Sequence, residues 1–234
     1  MRAGGDRGYP GLFGPPTPPP ARKPERLIVL EGDGWAGLDE ATRSGFEALL
    51  ESLGGAGVEV LRRADHVYIE TLEAAVAGAS EICNAITGWE NHWAHRNLIA
   101  EHSHGVSERI KATLARAEAM TPDDYRAALQ QRAAAQLRHA TLAPLADAII
   151  SLSCPGTAPL LTEDKPGEPP APFATGDPIF NYPSSMMFAP AVTMPLMSVG
   201  GLPVGVQVVG QQNEDARMTA YARWILATIP PVAA

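Results

Sequence analysis

Lysine is scarce in this chain of 234 residues: Lys23, Lys111 and Lys165 are all there are. Cysteine is scarcer still. Cys83 and Cys154 alone argue against a disulfide framework and fit the reducing cytoplasm. No apolar run reaches membrane-spanning length and the N-terminus has no hydrophobic signal core, which argues against a membrane span and against secretion. An excess of positive charge is missing as well. With 18 Lys and Arg against 26 Asp and Glu the formal net charge is −8, which argues against nucleic acid or an anionic membrane surface as partner. The small basic excess within residues 1–26 is too dilute to act as a binding arm. No internal repeat is present, so a solenoid is not expected.

What is present suits a folded cytoplasmic domain: 45% hydrophobic and 19% charged residues, in a chain long enough to bury a substantial core. Residues 1–25 are rich in proline and glycine and read as an extended connector. RLIVLE at 26–31 reads as a buried strand. Asp39 is placed to cap a helix whose Phe46, Leu49, Leu50 and Leu53 share one face, and Gly54-Gly55 ends it. Val58 to Val60 starts a second strand, and strand–helix–strand order implies a parallel crossover unit.

From Ile69 to about Ile99 the spacing predicts one helical stretch. Its stripe is Ile69, Leu72, Val76, Ala79, Cys83, Ile86 and Trp93. Ser107 is expected to start a helix with Ile110 and Leu114 inward. Thr121-Pro-Asp-Asp124 combines a cap, a proline in the first turn and acids at the positive dipole end, so a helix should run from there past Leu129 and Leu137. Ala146 to Ser153 reads as another buried strand. Eleven prolines between 155 and 203 predict largely irregular chain over 154–189, and a loop of that length inside a domain is usually functional. A last helix, capped at Asn213, should bury Met218, Tyr221, Ile225 and Leu226.

Several side-chain groups could carry chemistry. His92-x-x-His95 and His102-x-His104 invite a metal, yet no cysteine or carboxylate completes a tetrahedral set, so no metal is expected. Cys154 follows a buried strand, where nucleophiles often sit, but has no assigned base and reads as a small packed thiol. Ser184-Ser185 lacks flanking glycines that would let backbone amides approach an oxyanion, and its neighbouring prolines indicate a turn. Trp89 and Trp93 either line an apolar pocket or pack in the core, and packing is the expectation. Asp177, in a Gly/Pro-rich loop, either orients a polar substrate or bonds its own backbone in an Asx turn.

The last quarter adds a pattern of its own: Phe180-Asn181, then Pro190 to Pro195, then Gly201-Leu-Pro-Val-Gly-Val-Gln207. In this order, and with Ala146–Pro159 and Thr175–Asn181 before them, these segments resemble the C-terminal half of amidase signature family hydrolases. The resemblance runs from about Arg26 to the end. It implies an α/β fold, a mixed β-sheet flanked by helices on both faces, over residues 26–234. It also implies hydrolysis of an amide C–N bond with no metal or organic cofactor. Family members activate a serine through a neutral lysine and a bridging serine, with loop amides on the oxyanion. None of the three lysines lies in that context and no Gly-Gly-Ser-Ser occurs, so no catalytic residue carries over.

What does carry over is the pocket wall: Cys154 and Pro155 after the strand, and Thr175, Gly176, Asp177, Phe180 and Asn181 in the following loop. Phe188 and Ala189 stand where many members have glycine before the proline, which changes the pocket's shape. The expected partners are a small-molecule amide and the upstream catalytic half. The alternative is a non-catalytic binding or assembly subunit that keeps the pocket. A third reading is an independent hydrolase using Cys154 or a His-bound metal. A sheet deprived of half its strands should expose edges and apolar surface, which favours association of the chain with itself.

Overall fold

A computed structural model of the chain describes residues 17–163 and 176–234. Strand β1, Arg26–Val29, is apolar on both sides, as a centrally placed strand must be. Helix α1, Glu40–Gly55, follows, and the Asp39 carboxylate accepts the Thr42 N–H at 2.6 Å, the expected cap. Strand β2, Glu59–Leu61, lies parallel to β1, completing the expected crossover unit. Strand β3, Ala148–Leu152, is parallel to β1 on its other side. Strands β4, Ala191–Val199, and β5, Leu202–Val209, form an antiparallel hairpin whose β5 pairs with β3. A short β6, Val232–Ala233, closes the order β2-β1-β3-β5-β4-β6. Pro195 falls where the β4–β5 register shifts between Met194 and Met197, a place in a ladder that tolerates a missing N–H.

Period-two alternation divides the core. Leu27, Val29, Ile150 and Leu152 face α1 and helix α7, Asp215–Thr228, where Phe46, Leu49, Met218, Tyr221 and Ile225 meet them. Ile28, Leu30 and Ile149 face the other way. They pack on helix α2, Val67–Val76, helix α5, Pro122–Ala140, and the short helix α6, Tyr182–Met187. The mixed sheet with helices on both faces is thus the architecture that the family resemblance implied. At its N-terminal end Asp147 accepts N–H bonds from Glu25 and Arg26 and the Tyr221 hydroxyl. Burial pushes the Asp147 carboxyl up, but these three donors outweigh it and hold its pKa below the usual range. Burial and the facing carboxylate push Tyr221 up to about 12.

The single helical stretch expected from Ile69 is two helices. Gly78 sits at φ +69°, a left-handed residue between α2 and helix α3, Ala79–His102, and its N–H is taken by Asp33. Periodicity runs through the break because both helices bury apolar residues on the same body. Helix α4, Glu108–Ala119, returns along α3 and buries Leu114 as expected. The Thr121 capping box starts α5 as predicted. Two side chains assigned to the core are exposed: Trp93 at 61% and Leu226 at 50%. Each lies on a real helix, where short apolar patterns leave the buried face uncertain by one position. The last helix is capped at Glu214, and Asn213 instead takes a left-handed turn at φ +67°. Ser184 and Ser185 lie within α6 and not in a turn, because a proline is tolerated in a helix's first turn. Phe188 ends α6 at φ +53°, the left-handed conformation for which glycine is the usual choice, and its exposed ring is covered by the Arg132 guanidinium at 4.8 Å.

Candidate functional site

Among the described residues a cleft of about 680 Å³ opens where β3 ends and the α3–α4 pair meets the loops that follow it. One wall is the run 154–159 with Gly176 and Asp177. The facing wall is Ser80 and Asn84 of α3 with Arg109, Thr113 and Arg116 of α4. Tyr182 and Pro203 also border it.

The motif residues hold this mouth in shape. Gln207 is 2% exposed, and its side-chain nitrogen lies 3.0 Å from the carbonyls of Leu152 and Phe180 and 3.1 Å from the Ser151 hydroxyl. One buried amide therefore ties β5 to β3 and to the loop before α6. Asn181 donates to the Ser153 carbonyl at 2.9 Å, fastening that loop to the end of β3. Gly205 is required by close approach. A Cβ there would stand 2.2 Å from the Ser153 hydroxyl and 2.8 Å from the Thr193 methyl. The Asx turn weighed for Asp177 is present, its Oδ1 accepting the Ile179 N–H at 3.0 Å, and the same residue lines the cleft.

Of the seven residues assigned to the pocket wall, Cys154, Pro155, Gly176 and Asp177 line the cleft. Phe180 is only 4% exposed and packs under Gly34, where a Cβ would approach its ring to 2.7 Å. Asn181 serves as the tether just described. Thr175 and Lys165 lie outside the described residues. The α3 and α4 contributions went unnoticed in the sequence. A signal existed: Arg109, Thr113 and Arg116 recur at helical spacing as a polar stripe beside Ile110, Leu114 and Ala117.

The Cys154 thiol lies 4.0 Å from the Ser153 hydroxyl, and among the described residues no histidine lines the cleft. Cys83 sits behind Tyr182, its thiol directed at the Tyr182 carbonyl at 3.7 Å, and burial pushes its pKa up, which opposes thiolate chemistry. The paired histidines are dispersed along and beyond α3, and among the described residues no group of three or more potential ligands gathers as a metal site. Trp89 stacks on Tyr125, with ring centres 5.5 Å apart, and lies away from the cleft. Among the described residues no helix is long and apolar enough to cross a membrane.

The family model described as Amidase matches residues 17–218. The chain is similar to a crystal structure of an amidase at 25% identity and a TM-score of 0.71, covering 91% of this chain and 47% of that one. A bacterial aryl acylamidase of the amidase signature enzymes has the same fold at 11% identity and a TM-score of 0.67, with 89% and 44% covered. One component of a glutamyl-tRNA(Gln) amidotransferase from Thermotoga maritima has 22% identity and a TM-score of 0.53, with 88% and 43% covered. The chain thus spans about half the length of the solved structures it matches. No curated protein matches it.

Proposed function

Because the chain belongs to the amidase family, we propose that it supplies the C-terminal half of a hydrolase that cleaves an amide C–N bond and releases ammonia or an amine. On this reading residues 1–25 are a connector and residues 26–234 the scaffold and pocket wall. The observation that carries it is the cleft at the end of β3. One of its walls, the run 154–159 with Gly176 and Asp177, belongs to the family-like segments, and a buried glutamine ties the strand and the loop beside that wall together. Cys154, Pro155, Gly176 and Asp177 face the substrate, and Phe180 and Asn181 keep the loop in place. The nucleophile and base come from a Ser and Lys region outside this chain, because a serine needs a positioned base to attack at neutral pH. Loop amides of that region stabilise the oxyanion. The reaction needs no metal or organic cofactor. Two free cysteines suit a cytoplasmic setting.

The test is ammonia release from a panel of small amides, by this chain alone and by the chain joined to the region encoded upstream of it. Turnover only in the joined protein supports the reading. Turnover by the chain alone overturns it and returns attention to Cys154. A joined protein that binds amides without turning them over is a binding or assembly subunit instead.

A further inference from the structure

We propose that the turn over residues 31–34, at the end of β1, is the joint that sets the width of the cleft, with Asp33 as the residue that positions its α3 wall; this deepens the amidase reading and rests on it for the substrate. The two walls come from distant parts of the chain, and this turn touches both. The Asp33 carboxylate accepts the Gly78 N–H at 2.8 Å. Gly78 opens α3 with no side chain to cap it, so a carboxylate from another element takes that place at the helix's positive end. Ser80 and Asn84, which line the cleft, follow in the next two turns. Gly34 meets the opposite wall. Its φ of −71° and ψ of −19° are open to any residue, so glycine is there for space. A Cβ would stand 2.7 Å from the Phe180 ring and 2.9 Å from the Ile179 side chain. Those two residues lie between Asp177, which lines the cleft, and the Asn181 tether.

Coupling between two walls needs a stiff element that both of them touch. This turn is held from three sides. Leu30, just before it, donates its N–H to the Ile150 carbonyl at 3.1 Å, which roots it on β3. The Glu31 N–H is accepted by Glu73 of α2 at 3.2 Å, and that carboxylate is 8% exposed. Arg62 pairs with the Glu31 side chain at 3.3 Å. The Trp35 N–H closes the turn on the Gly32 carbonyl at 3.3 Å, and the Trp35 carbonyl accepts from the Arg43 guanidinium of α1 at 2.7 Å. Sheet, α1 and α2 therefore fix the turn, and Asp33 and Gly34 pass its position on to the two walls.

Hydrogen exchange on the 234-residue chain tests the joint without a substrate. Asp33 is exposed, so its replacement leaves the core intact. Asp33→Ala should speed exchange over residues 78–82 about fivefold, the worth of one ordinary hydrogen bond. Exchange over residues 179–181 should rise about twofold through the shared turn, while β1 and β3 stay protected. Asp33→Asn, whose amide oxygen accepts the same N–H, should restore both walls. A cap with only local effect would move the α3 amides alone; that result, or no change at either wall, overturns the proposal. Gly34→Ala should reverse the order, with residues 179–181 responding first, and thermal melts check that the variants fold. In the joined protein, with benzamide and propionamide as probes, Asp33→Ala should raise KM about fivefold and leave kcat within about twofold. Coupled exchange with turnover of neither probe sinks only the amidase reading. Coupled exchange with an unchanged KM sinks only the claim that the joint sets the cleft.

Discussion

Helix α1 buries six of its 16 residues, including Phe46, Leu49 and Leu53 at no exposure. Helix α3, half as long again at 24 residues, buries only Ala79, Ile86 and Gly88, all in its first ten positions. The contrast separates two kinds of construction. The sheet body is filled by large side chains from both faces. The α3–α4 pair holds its outer part with small residues, an Arg96–Glu118 ion pair and exposed aromatics. Stability should therefore reside in the body and adaptability in the pair, because local opening is easiest where few apolar contacts are buried. The cleft lies on the seam, with one rigid wall from the sheet and one from the helices that can yield.

Four measurements bear on that contrast. Phe46→Ala should lose about 3–5 kcal/mol of unfolding free energy in urea titration. A loss below about 1 kcal/mol would mean that the sheet body is not the stable half. Acid should act on the body next. His139 is 2% exposed, and burial lowers its pKa to about 4 from an ordinary 6.5. Between those values the unfolded imidazole binds a proton that the folded one refuses, so stability is full above pH 6.5 and falls as pH drops toward 4. The whole window is worth about 3 kcal/mol. His139→Leu should flatten this slope in melts taken at several pH values, and an unchanged slope would remove His139 as its source.

Thr121→Ala, which breaks the capping box at the start of α5, should cost about 1 kcal/mol. Because α5 packs against both α2 and α3, hydrogen exchange in the variant should rise in α5 and α3 before the sheet. Protection lost first in β3 or β5 would contradict the division. Trp93→Ala, on the exposed outer part of α3, should change stability by no more than about 0.5 kcal/mol. A loss as large as that of Phe46→Ala would erase the contrast.

Much of the sheet was legible in residue order. RLIV and AIISL are apolar runs of strand length, and Asp39 and Thr121 announce helices by side-chain chemistry that acts within three residues. The break at Gly78 was not legible, since an apolar stripe continues across it. Trp93 and Leu226 were misplaced because helical spacing names a face but not what covers it. The cleft was half legible. Cys154, Pro155, Gly176 and Asp177 came from the motif segments, whereas Arg109, Thr113 and Arg116 lie some forty residues away and meet them only when α4 folds over the end of β3.

The chain by itself determined its local events: strand alternation, helix caps and the glycines and prolines that stop or bend them, all set by forces that reach a few residues. Tertiary structure alone decided which helix faces are covered and which side chains share the cleft. It also gave Gln207 its role, because a buried amide must find partners, and those partners belong to strands and loops far away in the chain.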